Sequence, residues 1–488
     1  MKAQTSFWFA MASIAVVAAL HLLPIYAGFS IDPSILLTAR WWAIGALCIY
    51  GYTKSKLTTW ILISMVIGMG IGSDFPAVGA NLEVLSKIFI QLIKTVIAPL
   101  LLSTLVVGIA GQSNAQSVGR MSAKAFTYFI GATAIALFVG LAAINLTRAG
   151  EGIQNKAAVA STVELPASSL TAVVDSVKGT YKLTYSGKEV TPPASKVKQD
   201  WKQVVLHIFP ENVAKMVYDG AVLQIVIFSL IFGFALRQVE DQYRLPMLSW
   251  LEALGEVMFK FTNIIMYFAP FAVGGAMAYT IGTMGFEVVW NLLKLLGTLY
   301  IALITFILLV FIPVLYFFRI PIVPFFKAIY EPASLAFATA SSEAAFPKAM
   351  TAMENFGVPR KIVSFVLPTG YSFNLDGSTL YLSLASVFCA QAAGISLSWE
   401  TQLALMGTLL LTSKGVAGVP RASLVILAAT VNQFNIPEWP IAVILGVDAL
   451  MDMGRTAVNL MGNCLASAVV ARWEGEFNDS MDEDNTVA

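Results

Sequence analysis

The sequence predicts an all-α polytopic membrane protein, and three observations carry that expectation. The chain is 57% hydrophobic. Only 12% of it is charged, about half of what a soluble domain carries. Its apolar runs repeatedly reach the ~20 residues that an α-helix needs to cross a bilayer. The formal net charge of +1 points to no charged partner, and nothing in the pattern calls for nucleic acid.

The spans fall near 6–29, 37–53, 57–73, 86–111, 123–147, 211–236, 252–281, 288–318, 359–388 and 438–471. The first run, Phe7–Leu23, has the length of a signal peptide. It lacks a small-residue cleavage site and a second span follows at once, so it reads as a helix. Two further apolar stretches, about 328–350 and 400–431, are interrupted by Ser, Gly and Pro and read as re-entrant hairpins. Broken backbone at membrane depth is tolerated where it is buried in protein or lines a cavity.

Charge placement supports this count. With Lys2 inside, the basic clusters Lys54/Lys56, Arg120/Lys124, Arg237/Arg244, Arg319/Lys327, Lys348/Arg360/Lys361 and Arg472 all fall inside. The expectation is ten crossings plus two hairpins in the cell (inner) membrane, with both termini cytoplasmic. One soluble insert, about 148–205, lies outside. Within it Thr180–Val190 alternates around Ser186-Gly187, a β-hairpin pattern. The tail from 476 to 488 is acidic.

The last 160 residues read as two similar halves. Ser341-Ser342-Glu343 and Pro347 precede Asn374-Leu375-Asp376-Gly377-Ser378; Ser413-Lys414-Gly415 and Pro420 precede Asp448 to Asn459. The hairpins enter from opposite sides, so the halves form an inverted repeat. Inverted repeats whose broken helices meet at the midplane are a secondary-transporter signature. The fold class is therefore an inverted-repeat transporter with two re-entrant hairpins.

Candidate site residues follow from spacing. Asp448, Asp452, Arg455, Thr456 and Asn459 share one face of an otherwise apolar helix. Ionisable groups at that depth cost roughly 2.5–3.5 kcal/mol each, so they mark a site or a pair. Arg455 presents a planar fork that fits a carboxylate, and Asp452 fits an ammonium, which suits an acidic amino acid. An internal Asp452–Arg455 ion pair is the other reading. Asn374 and Asp376, with carbonyls freed by unwinding at Gly377, form a hard-oxygen set suited to Na⁺, which Asn459 can join. A protonated Asp376 is the alternative. The hairpin tips offer N–H groups to an anion. Arg421 either reaches a substrate carboxylate or sits at the outer interface.

The three cysteines lie in apolar spans and the two histidines are far apart, so no disulfide framework or metal cluster is expected. HExxH and P-loop motifs are lacking, and so is the Gly-x-Gly-Asp signature of an intramembrane aspartyl protease using Asp376 with Asp448 or Asp452. An anion channel is the remaining rival, and the buried carboxylates oppose it. The chain is not expected to be an enzyme.

Pro368–Gly377, Thr412–Pro420 and Asp452–Asn459 together make the chain resemble the dicarboxylate/amino acid:cation symporter family over about residues 57–475, in particular its bacterial proton–glutamate/aspartate carriers. The resemblance implies a homotrimer with an elevator mechanism. Residues 57–122 and 206–287 would be scaffold; residues 123–147 and 288–475 would be a mobile transport domain, with the second hairpin as extracellular gate. Residues 1–56 hold two helices without a counterpart in the family core.

Carried over, Arg455 holds the substrate side-chain carboxylate and Asp452 its amino group, with Thr456, Asn459, Ser342, Ser378 and the Val419–Pro420 tip completing the pocket. Gly370, Asn374, Asp376, Asn459 and the position of Asn463 match one sodium site, and Ser372 with the second hairpin another. Asn463 stands where sodium-coupled relatives carry an aspartate. Phe129 and Ala132 leave only Thr133 at a further sodium site, and Leu382 replaces a proton-carrying glutamate. Fewer oxygen ligands weaken a hard-cation site. Proton coupling through Asp376 or Glu343 is therefore expected alongside possible bound Na⁺. Ser341-Ser342-Glu343 also resembles the C4-dicarboxylate branch, whereas Asp452 points to an amino acid.

Overall fold

The computed structural model describes residues 3–27, 31–110, 117–153, 170–175, 180–185, 188–190, 209–218, 221–414 and 422–479. Val419, Pro420 and Arg421 lie outside the described residues, as does the side chain of Ser372.

The chain opens with α1 (Ala3–Ala27), α2 (Pro33–Lys54), α3 (Leu57–Asp74), the short α4 (Pro76–Asn81), α5 (Glu83–Ala110) and α6 (Ser117–Thr147). The insert contributes a three-stranded antiparallel sheet of β1 (Leu170–Asp175), β2 (Thr180–Tyr185) and β3 (Lys188–Val190). In β2–β3, Tyr185 pairs with Lys188, the hairpin that the alternation predicts. β1 pairs with β2, Leu170 opposite Tyr185. This sheet is the one departure from an all-helical chain among the described residues.

Next come α7 (Val213–Tyr218), α8 (Val222–Arg237), α9 (Asp241–Met266) and α10 (Ala269–Met284). The expected single span 252–281 is in fact two helices bent by 49°. Pro270 explains the break: it sits in the first turn of α10, where its missing N–H is tolerated, and it cannot continue α9. α11 (Val288–Phe306) passes through a π-helical turn at Ile307–Phe311 into α12 (Ile312–Phe317). Among the described residues, six helices are long and apolar enough to cross a membrane, or seven if the bent pair is one span.

Both stretches read as hairpins are helix–break–helix. α13 (Ile322–Thr339) and α14 (Ser342–Asn355) meet at Ala340, whose φ of 48° places it in the left-handed region that ends a helix. Ser341 then caps α14, its Oγ accepting from the Ala344 N–H. α17 (Trp399–Thr412) and α18 (Ala422–Gln433) make the second pair. The span 359–388 is broken into α15 (Arg360–Phe373) and α16 (Asp376–Ala392), and the last span into α19 (Trp439–Leu445) and α20 (Asp448–Glu474).

Packing sorts the helices into two groups. α10 lies on α3, α4 and α5, while α5 also takes α8 and α9. α6 lies along α16, and α13, α14, α15 and α16 all pack on α20. α20 is buried almost throughout, from Asp448 to Ala471. An ion pair bridges the groups: Lys94 on α5 meets Glu438, just before α19, at 2.8 Å. α1 and α2 pack on each other, and α2 joins α3 through an Arg40–Asp74 ion pair of 3.1 Å.

Candidate functional site

α20 brings a charge cluster into the interior. Arg455 is wholly buried, and its Nη2 donates to Asp452 Oδ1 at 2.8 Å and to Asp448 Oδ1 at 3.1 Å. Asp452 is one turn back and Asp448 two, so one helix face supplies all three groups. The guanidinium also stacks on Tyr381 of α16, 3.9 Å from the ring centroid. A buried arginine without such partners would be prohibitively costly. Its Nε and Nη1 have no hydrogen-bond partner among the described residues. The internal ion pair is therefore present and engages one nitrogen, while two donors of the guanidinium stay unengaged among the described residues.

Asn459 and Ser378, expected in one pocket, do meet, as Asn459 Nδ2 donates to Ser378 Oγ at 2.9 Å. Thr456 is buried beside them on α20. Ser342 begins α14, which packs on α20; its neighbour Ser341 makes the cap. Glu343 is exposed, close enough to Tyr371 for the two to interact electrostatically.

The hard-oxygen cluster forms where α15 gives way to α16. Asn374 Nδ2 donates to Asn463 Oδ1 at 3.1 Å and to Asp376 Oδ2 at 3.3 Å, and all three side chains are buried. Asn374 Oδ1 and Asp376 Oδ1 are left without hydrogen-bond partners. Two such orphaned oxygens fit a hard cation or, on the carboxyl, a proton. No cluster of three His, Cys, Asp or Glu side chains occurs among the described residues, so any metal held here would rest on amide, carbonyl and single-carboxylate oxygens.

The break falls at Asn374–Leu375 and not at Gly377, correcting the expected unwinding. Gly377 is helical and serves close approach instead: a Cβ there would come within 2.6 Å of the Arg455 carbonyl. Gly370 acts likewise, a Cβ meeting Asn463 Oδ1 at 2.5 Å, while its carbonyl accepts the Asn374 N–H at 2.7 Å. The Asn459 side chain bonds Ser378, and Asn463 is the α20 side chain that bonds Asn374.

Sequence reasoning missed two participants. Tyr381 lies four residues after Gly377, on the α16 face that meets Arg455, and helical spacing alone marks it. Lys414, next to Ser413 in the second helix pair, donates its Nζ to Thr133 Oγ1 at 2.5 Å and to the Phe373 carbonyl at 2.9 Å. A lysine inside an apolar hairpin was the available signal.

A family model described as the sodium:dicarboxylate symporter family matches residues 57–473, beginning where α3 begins. The chain is 37% identical over 429 residues to a proton/sodium-glutamate symport protein of Geobacillus stearothermophilus, covering 87% of this chain and 96% of that one. It is equally 37% identical to C4-dicarboxylate transport protein 2 of Mesorhizobium japonicum, covering 87% and 91%. Against the proton/glutamate-aspartate symporter of Escherichia coli the identity is 36% over 434 residues, covering 87% and 94%.

Proposed function

The chain belongs to the sodium:dicarboxylate symporter family, whose members are transporters and not enzymes, and from that membership we propose that it is a secondary active symporter importing L-glutamate and/or L-aspartate. The observation that carries this reading is the half-engaged guanidinium of Arg455. Nε and Nη1 remain as donors for substrate oxygens, and Asp452 next to them favours a positively charged amino group. Ser342, Ser378, Thr456, Asn459 and the Val419–Pro420 tip line the remainder of the pocket in this reading.

Coupling is to protons and/or sodium. When bound, sodium would supply positive charge that offsets the substrate carboxylates. Asn374, Asp376, Asn459 and Asn463, with the Gly370 carbonyl, would hold it, and Ser372 would belong to a second position. A proton would ride on Asp376, which is buried; Glu343 is the exposed alternative carrier.

The mobile unit is residues 123–147 with residues 288–475, moving as an elevator against a scaffold of 57–122 and 206–287 in a homotrimer, with the helix pairs 328–350 and 400–431 as re-entrant hairpins. The separation of the helices into two packing groups supports that division. Both termini lie on the cytoplasmic side of the inner membrane.

The C4-dicarboxylate carriers among the relatives, at the same identity, favour a second reading in which succinate-like diacids are the substrates. Uptake of labelled L-aspartate, L-glutamate and succinate into proteoliposomes tests both. An inward proton gradient without sodium is compared with a sodium gradient at equal pH. Amino-acid uptake on either gradient supports the proposal. Accumulation of succinate alone transfers the assignment to the second reading.

A further inference from the structure

The ammonium of Lys414 is held by oxygen atoms from two helices. Thr133, fully buried on α6, accepts through its hydroxyl at 2.5 Å. The Phe373 carbonyl accepts at 2.9 Å, and it is available because α15 ends there. Helix C-terminal carbonyls lack intrahelical donors and concentrate negative potential. The charge of Asp376, three residues on, also acts on the ammonium. A hydroxyl, a helix-terminal carbonyl and a carboxylate are the oxygen types that bind a hard monovalent cation. At this place the chain has a cation built in on a four-carbon stem, with three donors to spend on acceptors. On α6 beside Thr133, Phe129 and Ala132 are buried and offer only hydrocarbon.

We propose that Lys414 is a resident cation: its ammonium fills the oxygen cage at Thr133 and the end of α15, so that this position exchanges no sodium during transport. The proposal rests on the symport reading and narrows it. A tethered ammonium is present at every turn of the cycle and needs no gradient. A free sodium ion would have to break two charge-assisted hydrogen bonds to displace it. The cage then ties the second helix pair to α6 and α15 permanently, where a bound ion would do so only while it stays.

The test uses purified full-length protein without substrate, so its outcome does not depend on which substrate is carried. Thermal unfolding is followed in sodium chloride and in choline chloride at equal ionic strength. Lys414→Met removes the charge at similar length and leaves the oxygens empty-handed. It is expected to gain a saturable, sodium-specific stabilisation about 2–4 °C larger than that of the wild type, and Thr133→Val in the same background should abolish that gain. Lys414→Gln carries the same expectation and replaces the methionine variant should the latter not fold. A folded Lys414→Met or Lys414→Gln protein whose sodium response equals that of the wild type overturns the proposal. So does a sodium gain that survives Thr133→Val.

Discussion

Asn459 on α20 and Ser378 on α16 exchange two hydrogen bonds. The Ser378 N–H donates to Asn459 Oδ1 at 3.1 Å, and Asn459 Nδ2 returns a bond to Ser378 Oγ at 2.9 Å. Ser378 stands in the first turn of α16, where N–H groups have no partner within the helix. Asn459 therefore caps a helix from the neighbouring one.

Its loss should be felt more than the loss of the serine hydroxyl. Asn459→Ala leaves a first-turn N–H orphaned and should cost about 1–3 kcal/mol, whereas Ser378→Ala keeps the cap and should cost about 0.5–1.5 kcal/mol. Thermal unfolding of the two variants in detergent gives the ranking. Equal melting temperatures would mean that the cap contributes nothing.

Gly377→Ala places a methyl group 2.6 Å from the Arg455 carbonyl. Overpacking of this kind costs about 1–3 kcal/mol and would push α16 away from α20. Tyr381 moves with α16, so the stack on Arg455 loosens too. Substrate affinity should fall by about tenfold or more, the equivalent of ~1.4 kcal/mol. Unchanged affinity in an equilibrium binding assay would show that the two helices can part without consequence for the pocket.

Arg455→Lys keeps the charge and loses both the planar fork and the ring stack on Tyr381. On the proposed function the KM for L-aspartate should rise by roughly 10–100-fold, from the ~1.5–3 kcal/mol of hydrogen bonds to charged groups. Asp452→Ser should depress uptake of the amino acids far more than that of succinate. If both substrates suffer alike in competition assays, Asp452 serves only to hold Arg455.

Glu474, beyond the apolar part of α20, joins this helix to α6. Lys124 lies 2.8 Å from its carboxylate and Arg120 2.6 Å. The Lys124 hydrogen bond, aided by Arg120, holds the carboxyl below the usual carboxylate range. A carboxyl depressed in the folded state adds stability above its unfolded pKa, and that stability is lost as pH falls through the folded value. The wild type should therefore lose an increment on acidification that Glu474→Gln lacks at every pH. Melting curves from neutral pH down to about 3 would show converging variants; parallel curves would deny the link.

Much of the site was legible because membrane depth makes polarity conspicuous. Asp448, Asp452, Arg455 and Asn459 stand out of an apolar helix, and spacing puts them on one face. Asn374 and Asp376 were legible for the same reason. Gly377 was misread because a glycine serves unwinding and close approach equally well, and only the partner helix decides between them. Tyr381 was hidden since an aromatic residue in an apolar span looks like core. Lys414 escaped because its acceptors, Thr133 and the Phe373 carbonyl, lie 281 and 41 residues away in sequence. In the insert, β2 and β3 flank their own turn and could be read locally. β1, which pairs with β2 from Leu170 opposite Tyr185, was not read.

The complete burial of Arg455 has a kinetic consequence. A ligand cannot collide with a guanidinium that solvent does not touch. On the proposed function, capture must wait for the shell around it to open, and the association rate of substrate should level off with rising concentration at the frequency of that opening. The measured affinity then includes the rarity of the open form, weakened by the fraction of time the pocket is accessible. Substitutions that loosen the shell without touching Arg455 would raise that ceiling and bind faster.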